Sequence, residues 1–477
     1  MTGLAYLTVA EGAELLRTRK LSPVEWTRAL LERITSIDSN YNAFLVVTAD
    51  KALAQAKAAE VEIAKGQWRG PMHGVPYAAK DIFDIEGMAT TCHSKIRKDH
   101  RATSDAFVVK KLHEAGAVLL GKVALHEFAT GGPAFDLPWP PARNPWNRDI
   151  HPGGSSSGSG AALAAGMAPA ALGTDTGGSV RNPATCCGIV GMKPTYGAVS
   201  LAGVFPLTYS LDHVGPMTRT VEDNAIFFHA LAGHDPEDPT TAKRETPDCL
   251  KDLKSGLKGV RIGVIEHFYK EDAEADPDQG RAIEQAVVLL QQLGASVKTI
   301  RLSPLALWTD CNRTIHQAES YAIHERDVQE RPEDFAALTR NRLLPGAFVS
   351  AAKYIRAQQL RGALCREFAE AMRDLDAVVT LSSLLLPCRI DDPAAIARTY
   401  DQQCRLVFNV TGTPAISVPT GFTDSGVPLA MQIAGRAFDE PMVYRVAQAY
   451  CEAAGTCIGA DGKTQPRLVA TTRTAAE

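Results

Sequence analysis

Neither sign of charge dominates this chain: 50 lysines and arginines stand against 54 aspartates and glutamates, a formal net charge of −4. It therefore has no basic field of the kind that makes nucleic acid or an anionic membrane a principal partner. Long apolar runs are also missing. The longest weakly polar stretch, "AALAAGMAPAALG" at 161–173, falls short of the roughly 20 residues a spanning helix needs and is broken by Gly and Pro. The start, "MTGLAYLTVAEGAELL", lacks the basic and then apolar regions of a secretory leader, which points to a cytoplasmic protein. The ten cysteines contain no CxxC pair and read as free thiols rather than a disulfide framework. "HEFAT" at 126–130 lacks the second histidine of a zinc H-E-x-x-H, and no other His/Cys spacing suits a metal. No 20–50-residue repeat and no G-x-x-x-x-G-K-[ST] phosphate loop are present. The chemistry must come from side chains of another kind, with neither metal nor organic cofactor.

Hydrophobic content of 45% and charged content of 22% are those of a globular protein with a sizeable core. Residues 1–65 pattern as helices. "SPVEWTRALLERITSID" places Ser22 as N-cap and Pro23 at the first helical position, and "TADKALAQAKAAEVEIAKG" ends on Gly66. From about 70 to 220, strand-like "GVPYAAK", "AVLLGK" and "PAALGTD" alternate with helical "TSDAFVVKKLHEAGA" and "GSGAALAAG". A further strand–helix–strand unit covers 258–303, and 311–375 is helical and charged. Strands resume at "DAVVTL", "GTPAISVPT" and "PLAMQIAG". This alternation predicts an α/β fold, a sheet covered by helices, in one large domain over 1–460. The polar stretch 461–477 is predicted to be a frayed tail.

Residues 151–200 hold 11 of the 38 glycines, gathered in two Gly/Ser knots, "HPGGSSSGSG" at 151–160 and "GTDTGGSVRNP" at 173–183. A linker would account for one such knot but hardly for a pair around an Ala-rich helix. Gly154-Ser155-Ser156-Ser157-Gly158 also fits G-x-S-x-G, yet "NRDIHPGG" before it is not the buried strand that a nucleophile elbow requires. Taken with Lys80 at the end of "GVPYAAK", the knots offer a different set. Ser179 lies 24 residues beyond Ser155. Amide hydrolysis needs a nucleophile, a proton acceptor and oxyanion donors. A lysine serves as acceptor only when uncharged, which burial enforces.

In "NPWNRDIHPGGSSSGSGAALAAGMAPAALGTDTGGSVRNPATCCGIVGMKPTYG", supported by "GVPYAAKDIF" and "GTPAISVPTGF", the chain resembles the amidase signature hydrolases. The resemblance covers most of its length. It implies a central mixed sheet with helices on both faces, and pocket-forming helices near 311–400 that vary between members. It also implies Lys80 as base, Ser155 as bridging serine after a cis Gly154–Ser155 peptide, and Ser179 as nucleophile. The backbone N–H groups of Thr176, Gly177, Gly178 and Ser179 would form the oxyanion hole, and Asp175 would pair with Arg181 to hold the loop. Ser156 would hydrogen-bond near the lysine, and Gly131 and Gly132 of "FATGGPAFD" would line the cleft. His126, His151, Cys186 and Cys187 are read as packing or loop residues.

The resemblance implies hydrolysis of a small or aryl amide through an acyl-enzyme, with carbamates presenting the same carbonyl to the same serine. The partner is a small molecule, and family habit is a monomer or homodimer. The alternatives are the glutaminase component of a tRNA-dependent amidotransferase, which works with a second polypeptide, or a non-catalytic relative. In that glutaminase component an aspartate binds the glutamine ammonium; here Gln402 aligns with it and Asp401 is adjacent. Ser382-Ser383 replaces the family's usual Pro-Thr. Both departures point to a stand-alone amidase, with Tyr321, Tyr354, Arg342 and Leu384 as candidates for its pocket wall.

Overall fold

The alternating apolar runs become strands of a single sheet. The computed structural model describes residues 2–458 and 464–468, so most of the stretch expected to be a frayed tail lies outside the described residues. Eleven strands are present among them: β1 Phe44–Val47, β2 Pro76–Lys80, β3 Val118–Val123, β4 Ala170–Thr174, β5 Val190–Lys193, β6 Val214–Thr218, β7 Arg261–Val264, β8 Ser296–Thr299, β9 Ala377–Leu381, β10 Ala415–Phe422 and β11 Pro428–Ala434. They are hydrogen-bonded in the order β1-β3-β2-β4-β6-β5-β10-β11-β9-β7-β8. The sheet is mixed: β3, β2 and β4 run parallel, as do β8, β7 and β9, while the strands between these groups pair antiparallel. Every residue of β2 to β6, β9 and β11 is buried, so both pleat faces are covered by helices. No helix among the described residues is long and apolar enough to cross a membrane.

The N-terminal segment is not wholly helical. Between the helices Pro23–Ile37 and Ala49–Ala64, β1 pairs antiparallel with β3 and forms one sheet edge. At four residues, it is too short to show a period against its helical flanks. The "VGMK" of β5 and the "VGPMT" of β6 also escape a sequence reading, because glycine and proline there look like turn signals.

Two parallel neighbours position the chemistry. β2 and β4 lie side by side with Tyr77 opposite Ala170 and Ala79 opposite Leu172, so their carboxyl ends emerge together. Lys80 ends the first and Thr174 the second. The crevice beyond such strand ends is where open α/β sheets bind ligands.

The N-cap reading at Ser22 holds in detail. Its Oγ accepts from the N–H groups of Val24 and Glu25 and donates to Glu60, and Pro23 opens the helix. Ser22→Ala is expected to lower unfolding free energy by about 1 kcal/mol in a denaturant titration, with cleft activity unchanged.

Candidate active site

Lys80 is wholly buried, with Nζ 2.9 Å from Ser155 Oγ and 2.7 Å from Thr174 Oγ1. Among the described residues no carboxylate pairs with it. Burial pushes its ammonium down to about 7, with the charges of Asp212 and Asp175 pulling the other way. A second buried lysine, Lys122 on β3, has a counter-charge. It lies 2.5 Å from Asp81 and donates to the Ala89 carbonyl.

Backbone N–H groups of the first knot bond to the second. The Gly154 N–H donates to Asn182 Oδ1 at 2.8 Å, and the Ser156 N–H donates to the Ser179 carbonyl at 3.2 Å. The Gly154–Ser155 peptide is cis. Only glycine fits at 154, since a Cβ there would lie 2.0 Å from the His126 ring. The Ser156 hydroxyl donates to the Thr174 carbonyl and accepts from the Thr174 N–H, both at 3.3 Å. That commits Ser156 to the end of β4, beside the lysine's own neighbour. Ser155, 2% exposed, and the half-buried Ser179 both face one cavity, and their hydroxyls are not hydrogen-bonded to each other.

The loop carrying Ser179 is held from below. Arg181 grips Asp175 through Nε at 3.1 Å and Nη2 at 2.9 Å, both side chains fully buried. Arg181 also donates to the Arg405 carbonyl, Gln432 and Asn409. Burial opposes the charged form of Asp175, but the charge and hydrogen bonds of Arg181, with Asn409, hold its carboxyl far below the usual carboxylate range.

Of the four N–H groups expected to form an oxyanion hole, three are free. The Gly178 N–H is taken by Asp175 Oδ1 at 2.9 Å, leaving Thr176, Gly177 and Ser179, whose N–H groups have no acceptor among the described residues. The Gly178 φ of +119° favours glycine and turns this N–H inward. The Thr176 hydroxyl donates to Asp212 at 2.5 Å, which steadies the loop from the other side.

The cavity measures about 120 Å³. Gly131 lines it; Gly132 does not, and faces Ile396 and Leu338 instead. Of the four wall candidates only Arg342 is present. Tyr321 and Leu384 pack into the core, and Tyr354 belongs to a separate groove with Tyr196 and Tyr209. Gln402 is also absent from the wall. Its neighbours Asp401 and Gln403 are there instead, and Asp401 pairs with Arg313 at 2.7 Å. The departure at Gln402 therefore says nothing about ammonium recognition.

His126 is buried, as a packing residue would be, but it also lines the cavity, with Tyr400 OH 3.4 Å from Nδ1. Burial keeps its ring neutral. Asn182, which lies in the second knot, and Arg405 are further wall residues that the sequence analysis did not single out. His151 is a buried loop residue, its Nδ1 accepting from Gly153. Burial raises the thiols of Cys186, to about 12, and Cys187, so neither is a nucleophile at neutral pH. Among the described residues no group of three or more His, Cys, Asp or Glu could hold a metal ion.

Replacing Asp175 with Asn would leave the Arg181 guanidinium buried without its counter-charge. A stability loss of about 3–5 kcal/mol is expected on chemical denaturation.

This geometry has counterparts among known proteins. The sequence profile of the family described as Amidase matches residues 25–444. The GatA-type component of the glutamyl-tRNA(Gln) amidotransferase of Roseiflexus castenholzii is 39% identical, over 94% of this chain and 96% of that one. Among solved structures, a vestigial protein complex described as revealing the origins of an s-triazine catabolic enzyme superposes with TM-score 0.88 at 32% identity, covering 94% of this chain and 99% of that one. The native peptide amidase of Stenotrophomonas maltophilia does so with TM-score 0.82 at 30% identity, covering 94% and 97%. The chain belongs to the amidase signature family of enzymes acting on carbon–nitrogen bonds.

Proposed function

We propose that the cleft hydrolyses the C–N bond of a small amide through an acyl-enzyme on Ser179. The observation that carries this reading is Lys80: buried, unpaired with any carboxylate among the described residues, and 2.9 Å from the hydroxyl of Ser155. The neutral amine takes the Ser155 proton as Ser155 takes that of Ser179. The Ser179 oxygen attacks the carbonyl carbon, and the N–H groups of Thr176, Gly177 and Ser179 receive the oxyanion. Collapse breaks the C–N bond, and the proton returns through Ser155 to the departing nitrogen. Water then repeats the sequence on the ester, releasing the acid and restoring Ser179. A carbamate offers the same carbonyl. The 120 Å³ cavity lies below the about 300–1,000 Å³ of drug-sized pockets, which favours a compact substrate.

The curated relatives favour a second reading, in which the amide is glutamine and the nitrogen passes to a second polypeptide. Asp401 on the wall is compatible with it, whereas Ser382-Ser383 keeps the stand-alone reading open. Ammonia release from glutamine and from a panel of simple amides, anilides, esters and carbamates separates the two. Hydrolysis by the isolated chain supports the stand-alone amidase. Turnover of glutamine alone, and only with a co-purifying polypeptide, supports the second.

Ser179→Ala is expected to cut kcat on the order of 10³-fold or more, and an unimpaired variant sinks the mechanism. Because Lys80 acts as its neutral form and is held near 7, kcat/KM is expected to rise with pH up to about 7 and then level. A rate that keeps climbing to about pH 10 would mean an unperturbed lysine, and one flat down to about pH 5 would remove Lys80 as the base.

A further inference from the structure

A groove of about 600 Å³ lies outside the hydrolytic scheme, and its composition is one-sided. Three tyrosines, Tyr196, Tyr209 and Tyr354, and three carboxylates, Glu237, Asp238 and Glu319, line it, while no lysine, arginine or histidine does. Glu319 accepts from the Ser210 N–H at 2.9 Å, the Ser210 hydroxyl at 2.7 Å and Tyr354 OH at 2.8 Å. Asp238 accepts from the N–H groups of Leu201 and Thr240 and from the Thr240 hydroxyl. These donors are all neutral, so the negative charges stay uncompensated within the wall. Arg361, whose charge reaches Tyr196 and Tyr354, is not in the wall, and its Nε donates to the Val410 carbonyl. Tyr209 is 63% exposed, an unusual place for a large ring. The other two tyrosines are fixed by their hydroxyls, Tyr354 on Glu319 and Tyr196 on the Tyr209 carbonyl at 2.9 Å. Aromatic rings beside a concentrated negative field are the chemistry that holds an organic cation. A metal ion does not fit, because among the described residues no three acidic, His or Cys side chains converge on one point.

The groove neighbours the cleft without sharing a lining residue with it. The helix Leu305–Glu330 gives Asn312 and His316 to the cleft and Glu319 to the groove, steps of four and three residues along one face. Likewise Leu207 faces the cleft while Tyr209 and Ser210 face the groove.

We infer that this groove is a second ligand site, separate from the reaction cleft, that takes an organic ammonium ion with an apolar body. The ammonium meets the carboxylates, and the body lies against the tyrosines, Leu201, Ala202 and Pro239. The inference goes beyond the amide-hydrolysis reading and does not depend on it, because binding here needs no turnover.

The test is calorimetric titration of the full chain with three probes of one shape: 2-phenylethylammonium, the uncharged 2-phenylethanol and the anionic 3-phenylpropanoate. The ammonium is expected to bind at least about tenfold more tightly than the alcohol, and the carboxylate not at all. Its affinity is expected to fall as salt is raised. Glu319→Gln is expected to weaken ammonium binding about tenfold and Tyr209→Ala about fivefold, while Ser179→Ala leaves it unchanged. Melting curves identify a variant that fails to fold; the exposed Tyr209 ring can be removed without disturbing the core, so Tyr209→Ala then carries the comparison. Equal affinity for the ammonium and the alcohol, no binding of the ammonium, or binding indifferent to both Glu319→Gln and Tyr209→Ala overturns the inference. The last result places the ammonium elsewhere, the cleft included. Ser179-dependent hydrolysis would stand in each of these cases. Cleavage that persists in Ser179→Ala defeats the hydrolytic reading and leaves the titrations as they are.

Discussion

The carboxylate of Asp175 accepts six hydrogen bonds in the buried floor of the cleft: from the backbone of Gly178, Val180 and Arg181, from Arg181 Nε and Nη2, and from Asn409. Three of them wrap the loop of Ser179 around a single charge. The others pass through Arg181 and Asn409 to the second half of the chain, since Arg181 also reaches the Arg405 carbonyl and Gln432 on β11. One ion pair therefore fixes the curvature of the loop and ties it to the far side of the sheet. The N–H groups left over, on Thr176, Gly177 and Ser179, point elsewhere because Asp175 has claimed the rest.

A division of labour between buried charges follows. Asp175–Arg181 and Asp81–Lys122 are paired and structural. Among the described residues, Lys80 is buried with no carboxylate paired to it, and it borders the serine that faces the cavity. Burial without a counter-charge weakens a lysine's hold on its proton, whereas a guanidinium keeps its charge.

Much of this is legible in the sequence because the chemistry sits on local motifs. Lys80, Ser155 and Ser179 fall within Gly-rich or strand-end segments whose patterning is visible residue by residue, and the two knots do bond to each other. The Asp175–Arg181 pair spans six residues and is readable for the same reason. Most of the cavity wall is not. Arg342 is a sequence candidate and Asn182 falls in the second knot, but His126 and Arg405 reach the wall only through tertiary packing. One signal for Arg405 is available, an arginine that opens the mostly apolar "RLVFNV", since such a residue needs a reason to be buried. Gln402 misleads because an alignment fixes position in the chain but not which of three successive side chains faces the ligand. The edge strand β1 escapes because four residues between helices carry too little pattern.

The central claim is that Ser179, and neither Ser155 nor Ser156, carries the acyl group. Peptide mapping by mass spectrometry, after trapping the enzyme with a slowly deacylated carbamate, tests it most directly. The account predicts a single adduct on Ser179, absent from Lys80→Ala. An adduct on Ser155, Ser156 or Cys186, or full labelling without Lys80, would contradict it.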